Sequence, residues 1–184
     1  MESTSQIDRE IQEFTSQVRT DPTVLLPHLD KLLKSFRGNV MYLDPRCGIQ
    51  TNEGPAAVQE AIDFVKSVTP IGGLSWNDQL AQACKSHVED IGPKGLCQHE
   101  SSTGETLSQK IEKITHQRLN GMIGENISFG ESTAVSVVAS LIIDDGVEGR
   151  GHRENIYTKQ FTKIGCHTGP HSVYETMTCM VFSS

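Results

Sequence analysis

Near its C-terminus the chain reads GRGHRENIYTKQFTKIGCHTG and then VYETMTCMVFS, a single histidine between glycines and a short helical turn, followed by two strand-like runs. Gly149 and Gly151 accept sharp or left-handed backbone that other residues resist, and Gly151 can cap the turn that His152 opens. His152 is thereby held at an element boundary, where side chains can converge. FTKIGCHTG and VYETMTCMVFS read as two strands joined around Pro170-His171. Whatever precedes them must pack on that pair.

Most of what precedes them is helical. Ile7, Ile11, Phe14 and Val18 recur at helical spacing, and Asp21-Pro22 reads as a stop with a fresh N-cap. Val24, Leu25, Leu29, Leu32, Leu33 and Phe36 continue the apolar stripe, with a kink or restart at Pro27. GNVMYLDPRCGIQTNEG is rich in turn residues, shows no period and reads as loop. A third helix runs through Ala57, Ala61, Phe64, Val65 and Val68 to Thr69-Pro70 and Gly72-Gly73. The pattern then shifts: a short extended GLSW leads to Asn77, which caps a helix with the stripe Leu80, Cys84, His87, Val88 and Ile91. SQKIEKI predicts a short helix, NISFG a short strand and AVSVVASLIIDD another helix. Helices on both sides of a few antiparallel strands predict an α+β, three-layer α-β-α domain.

At 184 residues the chain supports one substantial core. Its 23 acidic against 16 basic residues, a net charge of −7, argue against nucleic acid or an anionic membrane surface as main partner. MESTSQIDREIQEF has no basic region followed by an apolar run, and Glu2 excludes N-myristoylation. No stretch is long enough to span a bilayer, and the missing secretory-signal pattern makes intracellular, in cytoplasm or cytoskeleton, the expected location. Five cysteines, Cys47, Cys84, Cys97, Cys166 and Cys179, without a CxxC pair, fit free thiols in a reducing compartment. A symmetric final hairpin could still oppose Cys166 to Cys179, so a disulfide there stays open.

Four separated segments together resemble the CAP superfamily, the fold of cysteine-rich secretory proteins, antigen 5 and plant pathogenesis-related proteins, and in particular its SCP-like branch of bacteria and protists. LSWNDQLAQAC is similar to the family's opening helix, CQHES to its first histidine segment, GENISFG to its GEN motif, and GHRENIYTKQFTKIG to its most specific signature. The resemblance implies a CAP/SCP-like domain over 74–184 with a small, mostly antiparallel sheet, and an N-terminal helical extension over 1–73 packed on it as one structural unit. It also implies a central cavity holding His99, Glu125, Asp144 and His152. Relatives more often carry glutamate at the third position, and the neighbouring Asp145 could take the role of Asp144.

Imidazole nitrogens suit zinc and similar cations, and a carboxylate can orient a ring through its other nitrogen. His99 and His152 are thus candidate ligands for zinc or another divalent ion; a purely hydrogen-bonded network of the same four residues is the alternative. His87, on the apolar stripe, reads as a hydrogen-bonded core residue, and His167 and His171 as solvent-facing. A Cys97–His99 nucleophile pair is disfavoured because alternate residues of an extended segment face opposite sides. The resemblance implies a non-enzymatic protein acting through a lipid or sterol ligand or through protein partners, and secretion, as in much of the family, as the other location. An intracellular assembly component, cytoskeletal or ciliary, is the alternative function. A metal-dependent hydrolase is a minor one.

Overall fold

The computed structural model describes residues 5–116 and 121–184. Met1 to Thr4, including the Glu2 that bears on N-myristoylation, lie outside the described residues. The described residues form seven α-helices: α1 (Gln6–Thr20), α2 (Leu26–Leu33), α3 (Pro55–Ser67), α4 (Asp78–Ile91), α5 (Leu107–Thr115), α6 (Ala134–Ile143) and α7 (Gly151–Tyr157). The main sheet has the order β4-β6-β7-β5, from β4 (Ser75–Trp76), β6 (Lys163–His171), β7 (Glu175–Ser183) and β5 (Ile123–Phe129). All its pairings are antiparallel except β4 with β6. No helix among the described residues is long and apolar enough to cross a membrane.

Alternation along β7 sorts the two cores. Met177, Cys179 and Val181 face α4 and α5, packing with Leu80, Val88, Ile91 and Ile111. Met180 and Phe182 face the other way, with Cys166 and Ile164 of β6, into a larger core built by α1, α2, α3, α6 and α7. This is the three-layer α-β-α sandwich expected from the sequence. Helix α4 lies so close to β6 that a side chain at Gly165 would sit 2.1 Å from Ala81 N. Only glycine permits that approach.

Helix α1 is fixed by two buried polar residues. The Asp8 carboxylate accepts from Thr168 N at 2.8 Å and meets His167 Nδ1 at 3.2 Å, while Cys166 Sγ donates to Asp8 O at 2.9 Å. Arg19, 1% exposed, donates to Gly72 O (2.7 Å), Ile156 O (2.7 Å), Thr158 O (3.1 Å) and Phe161 O (2.8 Å). Those four carbonyls belong to loop and helix-end backbone that no regular element serves.

Three expectations change here. The segment read as loop pairs into a second sheet, β1 (Phe36–Arg37), β2 (Val40–Asp44) and β3 (Cys47–Gln50), in the order β1-β2-β3. Its β3 residues are all exposed, so the strand carries no hydrophobic alternation to betray it. His171 is 3% exposed: its Nδ1 accepts from Val173 N and Tyr174 N, both at 3.2 Å, and His167 is half-buried against Asp8. The hairpin also turns later than expected, which sets Cys166 opposite Met180 and Cys179 opposite His167. Cys166 and Cys179 therefore lie on opposite faces of the sheet, and all five cysteines are free thiols.

Candidate functional site

His99 sits in the loop that follows α4, and that loop is tied down from several sides. His87 Nε2 donates to Gln98 O at 3.1 Å, while its Nδ1 accepts from the buried Lys110 ammonium at 2.5 Å. His87 is thus the hydrogen-bonded core residue its helical position implied, and burial holds its pKa below the ordinary value. Asp90 accepts from Ser102 N at 2.7 Å, and Ser101 Oγ accepts from Glu105 N at 2.9 Å. These bonds aim the ring of His99 at Glu125 on β5, with Nδ1 at 2.7 Å from Oε1. A carboxylate only accepts, so Nδ1 carries the proton and Nε2 is left outward. The Glu125 side chain is 4% exposed and that of His99 58%. Its second oxygen, Oε2, accepts from Cys179 Sγ at 3.5 Å.

His152 is the second residue of α7. Asp144 ends α6 in the left-handed conformation, φ 56° and ψ 45°, which aspartate tolerates better than most side chains. That bend swings its carboxylate onto the next helix: Oδ2 accepts from His152 N at 2.9 Å and Oδ1 meets Nδ1 at 2.7 Å. Asp145, one residue on, points elsewhere, accepting from Asn52 N at 2.7 Å and Glu53 N at 2.8 Å. His152 therefore meets Asp144 and not Asp145.

The four residues thus form two histidine–carboxylate pairs. They are joined through adjacent positions of β5, since Glu125 and Asn126 point to opposite faces of the strand. Asn126 Nδ2 donates to His152 O at 2.9 Å, and Asn155 Nδ2 donates to Asn126 Oδ1 at 2.8 Å and to Glu125 O at 3.2 Å. The asparagines of GEN and HREN are positioning residues that sequence reading passed over, although both motifs displayed them. Among the described residues, no group of three or more His, Cys, Asp or Glu side chains converges as a metal-ligand set.

Cys97 does not form a nucleophile–base pair with the neighbouring His171. Cys97 Sγ lies 3.9 Å from His171 Nε2. Both backbone donors on Nδ1 fix the proton of His171 on Nε2, where it is directed to Leu96 O at 3.2 Å. That nitrogen cannot take a proton from Cys97.

The hydrogen bond to Glu125 holds the pKa of His99 above the ordinary imidazole value, against the opposing effect of burial. Because the folded value is raised, the pair's stabilisation is present below about pH 6.5 and is lost as pH climbs through the raised value. An NMR titration of the His99 ring should show a midpoint above the ordinary value that falls back in Glu125→Gln. An unchanged midpoint in that variant would contradict the assignment.

Residues 68–181 match the family model for the cysteine-rich secretory protein family, CAP. Comparison with curated proteins finds no match. Among solved structures, the fold is similar to an extracellular protein containing an SCP domain from Bacillus anthracis, at TM-score 0.51 and 23% identity, covering 68% of this chain and 38% of that one. It is also similar to an outer surface protein from Borrelia burgdorferi, at TM-score 0.52 and 18% identity, covering 68% of this chain and 87% of that one. The chain thus spans well under half of the Bacillus anthracis protein in that structure. With the family match covering more than half of the chain and the α-β-α layers in place around the GEN and GHREN segments, the protein belongs to the CAP family.

Proposed function

We propose that this CAP domain is non-enzymatic and acts by binding, and that it seats an apolar small molecule between α2, the small sheet, α3 and α6. One observation carries the reading: a cavity of about 160 Å³ lined by Leu32, Phe36, Met41, Val58, Ala139 and Ile143. An apolar cavity of about 150 Å³ takes a molecule of benzene size. The volume therefore suits a single ring or a short alkyl chain, or one such portion of a larger lipid. Burying about 150 Å² of apolar surface at about 25 cal/mol/Å² gives about 4 kcal/mol, a dissociation constant near about 1 mM.

Toluene is a neutral probe of that size. Titrated at millimolar concentration, it should shift the NMR methyl signals of Val58, Ala139 and Ile143 saturably, and Ala139→Met, which fills the space, should abolish the shifts while the amide signals of β5 and β7 stay in place. Absence of saturable shifts in the unaltered protein, or their persistence in the variant, would remove the reading.

A second reading concerns a divalent cation. Each histidine has its Nδ1 on a carboxylate, the arrangement that orients metal-binding imidazoles and leaves Nε2 as the ligand atom. Imidazole nitrogens suit a zinc-like ion; His99 and His152 would hold it weakly, with water in the remaining positions, and it would supply Lewis-acid or structural binding there. Calorimetric titration with zinc should give a saturable heat that disappears in His99→Ala/His152→Ala. An equal heat in that double variant would exclude these two residues as the ligands.

A further inference from the structure

We propose that the occupant of the apolar pocket is an apolar amine, a short alkyl or single-ring body carrying an ammonium group, and that the pocket discriminates against a carboxylate of the same length. This rests on the binding reading above and adds the chemical class of ligand. What points to an amine is charge complementarity at a mainly apolar cavity whose uncharged polar lining is His28, Thr51, Ser136 and Ser140. Two formally charged residues stand among its lining residues, Glu131 and Asp145, and both are acids; neither lysine nor arginine contributes. Asp145 has its carboxylate pinned by Asn52 N and Glu53 N, so its charge is fixed in place beside the pocket.

Glu131 is half-buried, and among the described residues no donor is hydrogen-bonded to its carboxylate. Its backbone carbonyl is engaged separately, by Thr176 Oγ1 at 2.9 Å. The other polar ring at the pocket is His28. Burial foremost, and then Lys31, push its pKa below the ordinary value, while Glu131 pulls it the other way. The ring is accordingly uncharged at neutral pH and can accept a hydrogen bond. Lys31, one turn along α2 from His28, is exposed and outside the lining. An ammonium entering with its apolar body buried would meet two carboxylates, Glu131 and Asp145, and a neutral imidazole, whereas a carboxylate would meet the same two groups as like charges beside low-dielectric walls.

The test uses four probes on the purified chain at pH 7: hexylamine, hexanol, hexanoate and toluene, each followed through the Ala139 and Ile143 methyl signals. Hexylamine should bind roughly tenfold more tightly than hexanoate, with hexanol between them. Glu131→Gln should narrow the gap between amine and carboxylate while toluene binding stays unchanged, which also reports that the variant is folded. Hexanoate binding as tightly as hexylamine, with toluene still bound, would overturn this inference and leave the apolar pocket standing. Failure of toluene to bind would overturn both.

Discussion

A cluster of two arginines and two glutamates closes the molecule around the residues that matter. Arg150 donates to Glu53 at 2.6 and 2.7 Å, to Glu60 at 2.5 Å and to Asp144 O at 2.7 Å. Arg153 donates to Glu60 Oε1 at 2.8 Å and to the α6 carbonyls of Ile142 at 2.5 Å and Ile143 at 3.3 Å. Four segments thereby meet: the loop after the small sheet, α3, the end of α6 and α7. Solvent reaches Glu53 and Glu60, so an isolated pair of this kind would contribute little. The planar fork of each arginine serves carboxylates and helix-end carbonyls together, and that sharing makes a network from weak pairs. The Arg150 hydrogen bonds, and then Gly146 N, hold the Glu53 carboxyl at about 2, so the cluster keeps its charge through the neutral and mildly acidic range and loses it only as pH falls toward that value.

The cluster places both candidate sites on one scaffold. Asp144 lends its carbonyl to Arg150 and its carboxylate to His152, while Asp145 faces the opposite way to hold Asn52 and Glu53. Two adjacent aspartates thus serve two different structures because the left-handed turn at Asp144 separates their directions. The polar pair lies on the α7 side and the apolar cavity lies under the small sheet, with the same turn between them.

Much of this was legible in the sequence, for physical reasons that differ between elements. The Asn77 cap and the Leu80, Cys84, Val88 and Ile91 stripe fixed α4 because one face of that helix is buried and its start has a side-chain acceptor. His99, Glu125, Asp144 and His152 came as a set through the family resemblance, since no periodicity links them; which histidine meets which carboxylate emerges only from the fold. The small sheet escaped because its strands are short and its outer residues exposed, so backbone pairing and not a buried face holds it. His171 looked solvent-facing because it lies near a turn; its burial follows from Leu96 and Phe129 packing over that end of the hairpin. The apolar cavity was beyond reach altogether, being assembled from residues 28 to 58 and 131 to 145, which the shared apolar core, the Asp145 hydrogen bonds and the arginine cluster bring together.

Through Glu53, on the loop after β3, this cluster holds the small sheet over α6. Hydrogen–deuterium exchange on Arg150→Met tests that hold most directly, comparing residues 40–54 with strands β5 and β7. Faster exchange is expected across 40–54, with unchanged protection in β5 and β7. Unchanged exchange in 40–54, or an equal loss of protection throughout the chain, would contradict it.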